Sequence, residues 1–131
     1  MLADTGPLYA VVDPRDNRFA RAREDVARLN SERLSVVVSY PILCESYSLI
    51  LRRLGVDRAR GWLEEISDRA ALLNPSTRDY EAASGLISSY PDQGLSIFDA
   101  VTAVLGERLA LPVWSYDHHF DVVGVEVWRD A

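Results

Sequence analysis

Two aspartates in this chain stand directly after short apolar segments that are typical of β-strands. Asp4 follows Met-Leu-Ala and precedes Thr-Gly-Pro, and Asp117 follows the run LPVWSY. A carboxylate lowers strand propensity and is costly to bury, so each residue either forms a turn or serves a chemical purpose. Ligands of parallel α/β sheets bind at the carboxyl ends of the strands, where both aspartates are expected. The pair therefore marks a candidate acidic site.

Two further acids occupy informative positions on predicted helices. Asp99 opens the apolar helix IFDAVTAVLGERL, although Ser96 and Asp99 also fit a helix-capping pattern. Glu45 lies beside the main apolar stripe of its helix, with Ile42 and Leu49 on its own side, which predicts a partly buried position. A cap remains the alternative for Asp99, and a solvated face remains the alternative for Glu45.

Alternating strand and helix patterns predict the framework that positions these acids. The predicted strands are Met1–Asp4, Leu34–Val38, Ala70–Leu73, Leu111–Tyr116 and Gly124–Trp128. Three helices are predicted before Gly55: Pro7–Val12, Asp16–Asn30 and a helix that is capped by Ser39 and ends at Leu54. Three more are predicted after it: Asp57–Ser67, a helix that begins with the capping box Ser76–Asp79, and Ile97–Leu109. A turn or short helix is predicted over Asp117–Val122. This order predicts an α/β fold whose mostly parallel sheet has helices on both faces. A stripe of small residues, Thr102, Ala103 and Gly106, predicts that the penultimate helix closely approaches a neighbour.

Composition excludes several classes of protein. A chain of 131 residues with net charge −6 and 48% hydrophobic residues is most simply one globular domain. All fourteen basic residues are arginine, so the lysine of a phosphate-binding loop or of a Schiff-base enzyme is missing. The single Cys44 excludes an internal disulfide. With neither a long apolar span nor a signal-peptide pattern, we expect a cytoplasmic protein without membrane attachment.

The charge is unevenly distributed along the chain. Residues 1–60 hold ten arginines against eight acids, and residues 61–131 hold four against twelve. An acidic balance disfavours a general nucleic-acid coat protein but allows a local basic face. Four arginines that follow Glu45 could contact RNA or a partner, or could form an ordinary solvated surface; they are Arg52, Arg53, Arg58 and Arg60.

Taken together, the strings LADTGPLYAVVD, SYPILCESYSLILRRLG and LSIFDAVTAVLGERLALPVWSYDHHF resemble the PIN-domain ribonucleases, especially the VapC-type toxins of toxin–antitoxin pairs. The resemblance covers nearly the whole chain and implies a single PIN domain over residues 1–131. It implies a three-layer α/β/α PIN-like fold with a mostly parallel central sheet of four to five strands. By position, the implied catalytic and metal-binding acids are Asp4, Glu45, Asp99 and Asp117, with Thr5 as a supporting hydroxyl residue.

The activity that this resemblance implies is metal-dependent hydrolysis of RNA phosphodiesters by an endoribonuclease toxin. Carboxylate chemistry agrees, because four acids within several ångströms repel one another unless they bind protons or a cation. An all-oxygen donor set favours Mg²⁺ or Mn²⁺ over zinc, and such an ion can turn a bound water into a nucleophile. The alternative is a catalytically inactive PIN-like module that binds RNA or protein, which should have lost at least one acid.

The resemblance also implies partners other than RNA. A small antitoxin protein is expected to insert a basic side chain near the acids. A homodimer is expected through the helices around residues 42–66, because Tyr47, Leu51, Leu54 and Trp62 are more apolar than a lone domain needs.

The remaining conspicuous residues are expected to have structural roles. His118 and His119 are predicted to be exposed turn residues, with general-acid or ligand roles as the alternative. Asp121 is predicted to lie in a surface turn. The three tryptophans, Trp62, Trp114 and Trp128, are predicted to pack in the core or at an interface rather than stack on bases.

Overall fold

The computed structural model describes residues 1–129 and has a four-stranded sheet at its centre. The strands are β1 (Leu2–Ala3), β2 (Val37–Ser39), β3 (Ala71–Leu73) and β4 (Val113–Trp114). They lie in the order β3-β2-β1-β4, and every neighbouring pair is parallel. Leu2 pairs with Val37 on one side and with Val113 on the other. The carboxyl ends of β1 and β4, which precede Asp4 and Asp117, therefore lie side by side.

Helices cover both faces of this sheet, as the alternating pattern predicts. Within residues 1–129 they are α1 (Thr5–Ala10), α2 (Phe19–Ser31), α3 (Tyr40–Leu54), α4 (Val56–Arg69), α5 (Thr77–Ser89), α6 (Ile97–Leu109) and α7 (His119–Val122). Ala3, Val38 and Trp114 pack in one apolar cluster with α1 to α4, and Leu2 and Val113 pack in another with α5 to α7. Because successive strand residues face opposite sides, the fold has three α/β/α layers. None of these helices is long and apolar enough to cross a membrane.

Serine caps set the starts of three helices where the sequence predicts them. The hydroxyl of Ser39 accepts a hydrogen bond from the backbone of Ile42, and reciprocal capping boxes form at Ser76–Asp79 and Ser96–Asp99. Helix α3 ends at Gly55, whose φ of 92° lies in the region that favours glycine. These local predictions are confirmed.

Strand boundaries differ more from their predicted positions. Strand β2 begins at Val37 rather than Leu34, because the backbone N–H of Leu34 instead donates to a carbonyl near the end of α2. The prediction of a fifth strand over Gly124–Trp128 is wrong. That segment forms one parallel bridge, between Val127 and Val113, and β4 is only two residues long, so the ladder does not continue.

The predicted close approach of α6 is confirmed at Gly106. A Cβ atom at this position would lie 3.2 Å from the carbonyl oxygen of Leu111 and equally close to side-chain atoms of Val113 and Val125. Glycine therefore lets α6 pack directly against the segment that leads into β4.

Core packing is confirmed for the tryptophans. Trp62 and Trp114 are buried, and the partly buried Trp128 meets Trp114 edge to face with ring centroids 6.4 Å apart. The aromatic ring of Tyr47 and the side chain of Leu54 pack against the same cluster. Tyr47, Leu54 and Trp62 therefore contribute to the core, and the expected homodimer through the helices around residues 42–66 stays a prediction.

Candidate active site

The four predicted acids line one open cavity of about 400 Å³. The residues around this cavity are Asp4, Thr5, Gly6, Arg18, Glu45, Asp99, Tyr116, Asp117 and His118. The cavity with its four carboxylates is named the acidic cup. It is assembled by the segments that follow β1 and β4 together with helices α3 and α6, which lie far apart in the sequence.

Asp4 is held between the ends of β1 and β4. Only 6% of its surface is exposed. Its backbone N–H donates to the carbonyl of Trp114 over 2.9 Å, and the hydroxyl of Ser115 donates to its Oδ2 over 2.7 Å. Helix α1 begins directly after it at Thr5, earlier than the predicted Pro7, because proline needs no N–H partner in a first turn. The aspartate therefore ends a strand and precedes a helix with a fixed side chain.

Glu45 is positioned by the start of α1. The hydroxyl of Thr5 donates a short hydrogen bond to Glu45 Oε1. The hydroxyl of Ser46, which is buried, in turn donates to Thr5 Oγ1 over 3.3 Å. Glu45 is partly buried, as predicted, and the Thr5 hydroxyl holds its carboxylate toward the acidic cup.

Asp99 has both of the roles that its sequence pattern left open, because it caps helix α6 and also lies in the candidate site. Its carboxylate accepts a hydrogen bond from the backbone N–H of Ser96 at 3.4 Å, and its own N–H donates to the Ser96 hydroxyl at 3.1 Å. The same side chain lines the acidic cup. The capping box therefore fixes the backbone that carries this carboxylate into the cavity.

Burial and mutual repulsion perturb three acids of the cup. Burial raises the pKa of Asp4 to about 6, the charges of Asp99 and Glu45 add to the rise, and the hydrogen bond from Ser115 opposes it. The pKa of Glu45 is raised by burial and by the charge of Asp99. The pKa of Asp99 is raised by burial and then by the charge of Asp117. Each carboxylate thus makes the ionised form of its neighbours less favourable.

Asp117 lies two residues before the short helix α7, and its side chain binds the first backbone N–H of that helix. Its Oδ1 accepts the backbone N–H of His119 at 2.9 Å, and its own N–H donates to the Ser115 hydroxyl at 3.0 Å. The ring of His119 is 18% exposed, and its Nδ1 lies 3.0 Å from Asp117 Oδ1 and 3.9 Å from Asp99 Oδ2. The first approach is close but lacks hydrogen-bond geometry, so this buried nitrogen has no hydrogen-bond partner within residues 1–129. The prediction of an exposed turn residue is right for His118 and wrong for His119.

A buried acid that the sequence did not single out, Asp25, holds the segment that directly precedes Asp117. Asp25 on α2 accepts hydrogen bonds from Trp114 Nε1 at 3.0 Å and from the hydroxyl of Tyr116 at 2.6 Å. The pKa of the Tyr116 hydroxyl is raised by burial and by this carboxylate. The signal that could have found it is an aspartate beside Ala22 and Leu29, on the apolar face of a predicted helix.

The predicted arginine group does not line the acidic cup. The guanidinium of Arg53 lies over the Tyr9 ring at 5.2 Å, and Arg58 donates to the carbonyl of Val12. Both arginines line a separate groove of about 680 Å³ together with Asp13. The arginine that lines the acidic cup is Arg18, at the start of α2, which the sequence reasoning missed.

The donor set of the cup fits a hard divalent cation. Its carboxylate and hydroxyl oxygens are the ligands that Mg²⁺ and Mn²⁺ prefer, and a cation would relieve the repulsion that raises the carboxyl pKa values. Asp117, His118 and His119 also place one ligand atom each within 4.8 Å of one another. Imidazole nitrogen is accepted more readily by Mn²⁺ than by Mg²⁺, so both ions remain candidates.

The chain is similar to known proteins along nearly its whole length. The family model for the PIN domain matches residues 1–126. Ribonuclease VapC26 of Mycobacterium tuberculosis is 31% identical over 109 residues, which are 82% of this chain and 78% of that protein. The crystal structure of VapC20 from the same species, described as a sarcin-ricin loop cleaving toxin, superimposes with a TM-score of 0.85 at 20% identity and covers 98% of both chains. VapBC2 of Rickettsia felis, bound to a DNA fragment from its promoter, gives a TM-score of 0.70 at 12% identity over 98% of this chain and 96% of the other.

Proposed function

The chain belongs to the PIN domain family, in its branch of VapC-type ribonuclease toxins, and we propose that it cleaves RNA phosphodiester bonds at the acidic cup. The observation that carries this proposal is the convergence of four carboxylates on one open cavity. Because the acidity of three of them is suppressed by burial and by one another, the cup is suited to a cation rather than to four free charges.

Asp4, Glu45, Asp99 and Asp117 would hold Mg²⁺ or Mn²⁺. When bound, such an ion activates a water for attack on phosphorus and offsets the charge that builds on the phosphate oxygens. The protein's own contribution is positioning. The Ser115 hydroxyl fixes the carboxylate of Asp4, and the Thr5 hydroxyl fixes that of Glu45. The carboxylates of Asp4 and Glu45 are therefore already oriented in the acidic cup.

The test is RNA cleavage by the purified, antitoxin-free protein. We expect cutting of single-stranded RNA in Mg²⁺ or Mn²⁺ and none in EDTA. Asp99→Asn should abolish cutting, because the amide removes a charge from the cup. Asp121→Asn is the matched control, since Asp121 is exposed and pairs with Arg129 outside the cup. Equal cleavage by Asp99→Asn and the parent protein would contradict the assignment.

The alternative of an inactive binding module makes a different prediction in the same assay. Such a module would bind RNA or protein without metal-dependent cleavage, whatever the state of the four acids.

For an active enzyme, mapping of the cleavage ends after brief expression in cells would identify the RNA that is cut. Expression of Asp99→Asn is the control.

We propose that a small antitoxin inhibits the enzyme by placing an arginine or lysine in the acidic cup. The cavity is open and lined by four carboxylates, which a cationic side chain would complement. A neighbouring-gene product that binds the toxin should lose its inhibitory effect when that one basic residue is replaced by alanine. Failure of every neighbouring-gene product to suppress toxicity would remove this part of the proposal. The cytoplasm, where RNA and such a partner meet, is the proposed compartment.

We propose a homodimer through a different apolar patch from the one the sequence suggested. Tyr40, Tyr80 and Ile97 are 43%, 40% and 42% exposed. They surround a shallow groove of about 260 Å³ at the meeting of α3, α5 and α6, and the free thiol of Cys44 lies in it. Exposed aromatic and aliphatic side chains in one place are typical of association surfaces.

A further inference from the structure

The acidic cup contains one cationic side chain, Arg18. This exposed residue precedes α2, and its backbone N–H donates to Asp16 Oδ1 over 2.8 Å, which fixes the turn. Arg21 follows one turn later on the same helix. Within residues 1–129, neither guanidinium forms an ion pair with a carboxylate, even though four carboxylates lie around the same cavity. Their charge is therefore available to a ligand.

An aromatic ring orders both arginines instead of an acid. The guanidinium carbon of Arg21 lies 4.2 Å from the centre of the Tyr116 ring, and that of Arg18 lies 5.6 Å from it. A cation–π contact uses the flat face of the guanidinium and leaves its N–H donors free at the edge. Those donors match the geometry of a phosphate, to which arginine can bind in bidentate fashion.

The Tyr116 ring has a fixed position relative to the cup. Its hydroxyl donates to the buried carboxylate of Asp25, which also anchors Trp114. Tyr116 directly precedes Asp117, whose carboxylate belongs to the cup, and Tyr116 itself lines the cavity. Arg18 therefore lines the cavity together with the acids, and the Tyr116 ring, which also lines it, carries the guanidinium of Arg21.

We propose that Arg18 and Arg21, held on the ring of Tyr116, bind an RNA phosphate adjacent to the one that is cleaved. The proposal rests on the proposed ribonuclease function and adds a subsite to it. A cup of four acids repels the RNA backbone, and a cation at its rim offsets that repulsion for the neighbouring phosphate without competing for the scissile one. Such a contact positions the strand and carries no base specificity.

The test separates binding from cleavage. A fluorescein-labelled oligouridylate is titrated with Asp99→Asn protein in Mg²⁺ while anisotropy is recorded at several salt concentrations. Adding Arg18→Gln and Arg21→Gln should weaken binding about tenfold, and the slope of log affinity against log salt should fall by about 0.7 for each phosphate that is no longer neutralised. Replacing both residues by lysine should preserve most of the slope, because the slope counts cations and not their shape.

Arg23→Gln is the matched control. Arg23 lies on the same helix and also stacks on a ring, that of Phe19 at 5.6 Å, but neither Arg23 nor this ring lines the cup. We expect its affinity and salt slope to equal those of the Asp99→Asn parent. An unchanged slope in the double glutamine variant, or an equal loss in Arg23→Gln, would overturn the subsite. Retained RNA binding with lost antitoxin inhibition would also overturn it and assign the arginines to the protein partner.

RNA cleavage by the unsubstituted protein tests the proposed ribonuclease function separately from the phosphate subsite. If the unsubstituted protein does not cleave RNA in Mg²⁺ or Mn²⁺, the ribonuclease assignment falls. If it cleaves, and Arg18→Gln with Arg21→Gln changes neither RNA binding in the Asp99→Asn background nor cleavage by the protein that retains Asp99, only the phosphate subsite falls.

Discussion

The hydroxyl of Ser115 donates a 2.7 Å hydrogen bond to the carboxylate of Asp4, across 111 residues of sequence. The residue after the edge strand β4 thereby orients the acid after its parallel neighbour β1. The same hydroxyl accepts the backbone N–H of Asp117. One serine therefore links the carboxylate of Asp4 to the backbone of Asp117, and its loss should affect metal binding before it affects the fold.

Ser115→Ala should weaken metal binding about tenfold, the usual scale for the loss of a hydrogen bond to a metal-binding group. The hydrogen bond lowers the pKa of Asp4, so its removal raises that pKa further and favours the proton over the metal. The concentration of Mg²⁺ that gives half-maximal cleavage is the measurement. Ser67→Ala removes a comparable hydroxyl on α4 that bonds only to Leu63, and it should behave as the parent. An unchanged Mg²⁺ requirement in Ser115→Ala would contradict this role.

The stability of the metal-free protein should fall with rising pH because of Asp4. Its folded-state pKa of about 6 lies above the ordinary value of 3.8, so its stabilising contribution is complete below the lower value and lost as pH rises through the higher one. In EDTA at about pH 7.5, Asp4→Asn should therefore exceed the parent in unfolding free energy by up to roughly 3 kcal/mol. Urea denaturation across this range measures the difference. A difference that does not shrink toward acid pH would count against the raised pKa.

Added Mg²⁺ or Mn²⁺ should stabilise the folded protein, because the cup exists only in the folded chain. At a hundredfold excess over the dissociation constant the gain is about 2.7 kcal/mol, which shifts the melting temperature by several degrees. Asp117→Asn should abolish most of the shift, whereas the control Asp121→Asn should retain it. A full shift in Asp117→Asn would place the ion elsewhere.

Gly106→Ala should destabilise the protein by about 1 kcal/mol, the lower range for overpacking. Its new methyl group would press on a backbone carbonyl and two valines at 3.2 Å. Gly85, in α5, has nothing within 4 Å of the equivalent position. Gly85→Ala should therefore stabilise by up to about 1 kcal/mol through helix propensity. Thermal denaturation of both variants measures these changes in stability. Equal changes in the two variants would show that α6 does not need the close approach.

The proposed dimer should be trapped by a short bis-maleimide through Cys44. A two-fold axis at the patch of Tyr40, Tyr80 and Ile97 would bring the two thiols together. Cys44→Ser should remove the cross-linked band, and Tyr80→Arg should prevent association by placing a charge in the patch. Sedimentation at micromolar concentration gives the mass, and a monomer there would refute the dimer.

Local sequence signals were sufficient for the starts of the three serine-capped helices of this fold. The hydroxyl of Ser39 and the capping boxes at Ser76 and Ser96 satisfy backbone groups within three residues of themselves, so their patterns are readable without tertiary information. Strands depend on partners elsewhere in the chain. The segment Gly124–Trp128 has a strand-like pattern, yet it forms one bridge because its neighbour β4 offers only two residues.

By itself, the sequence determined which acids could form a site and the order in which helices and strands would present them. Tertiary structure decided how those acids behave: that Ser115 holds Asp4, that Asp25 anchors Tyr116, and that His119 lies against Asp117 rather than in solvent. The physical reason is that desolvation and hydrogen bonding depend on distances of a few ångströms between segments far apart in the chain. Residue types and local spacing carry no information about those distances until the sheet brings the strand ends together.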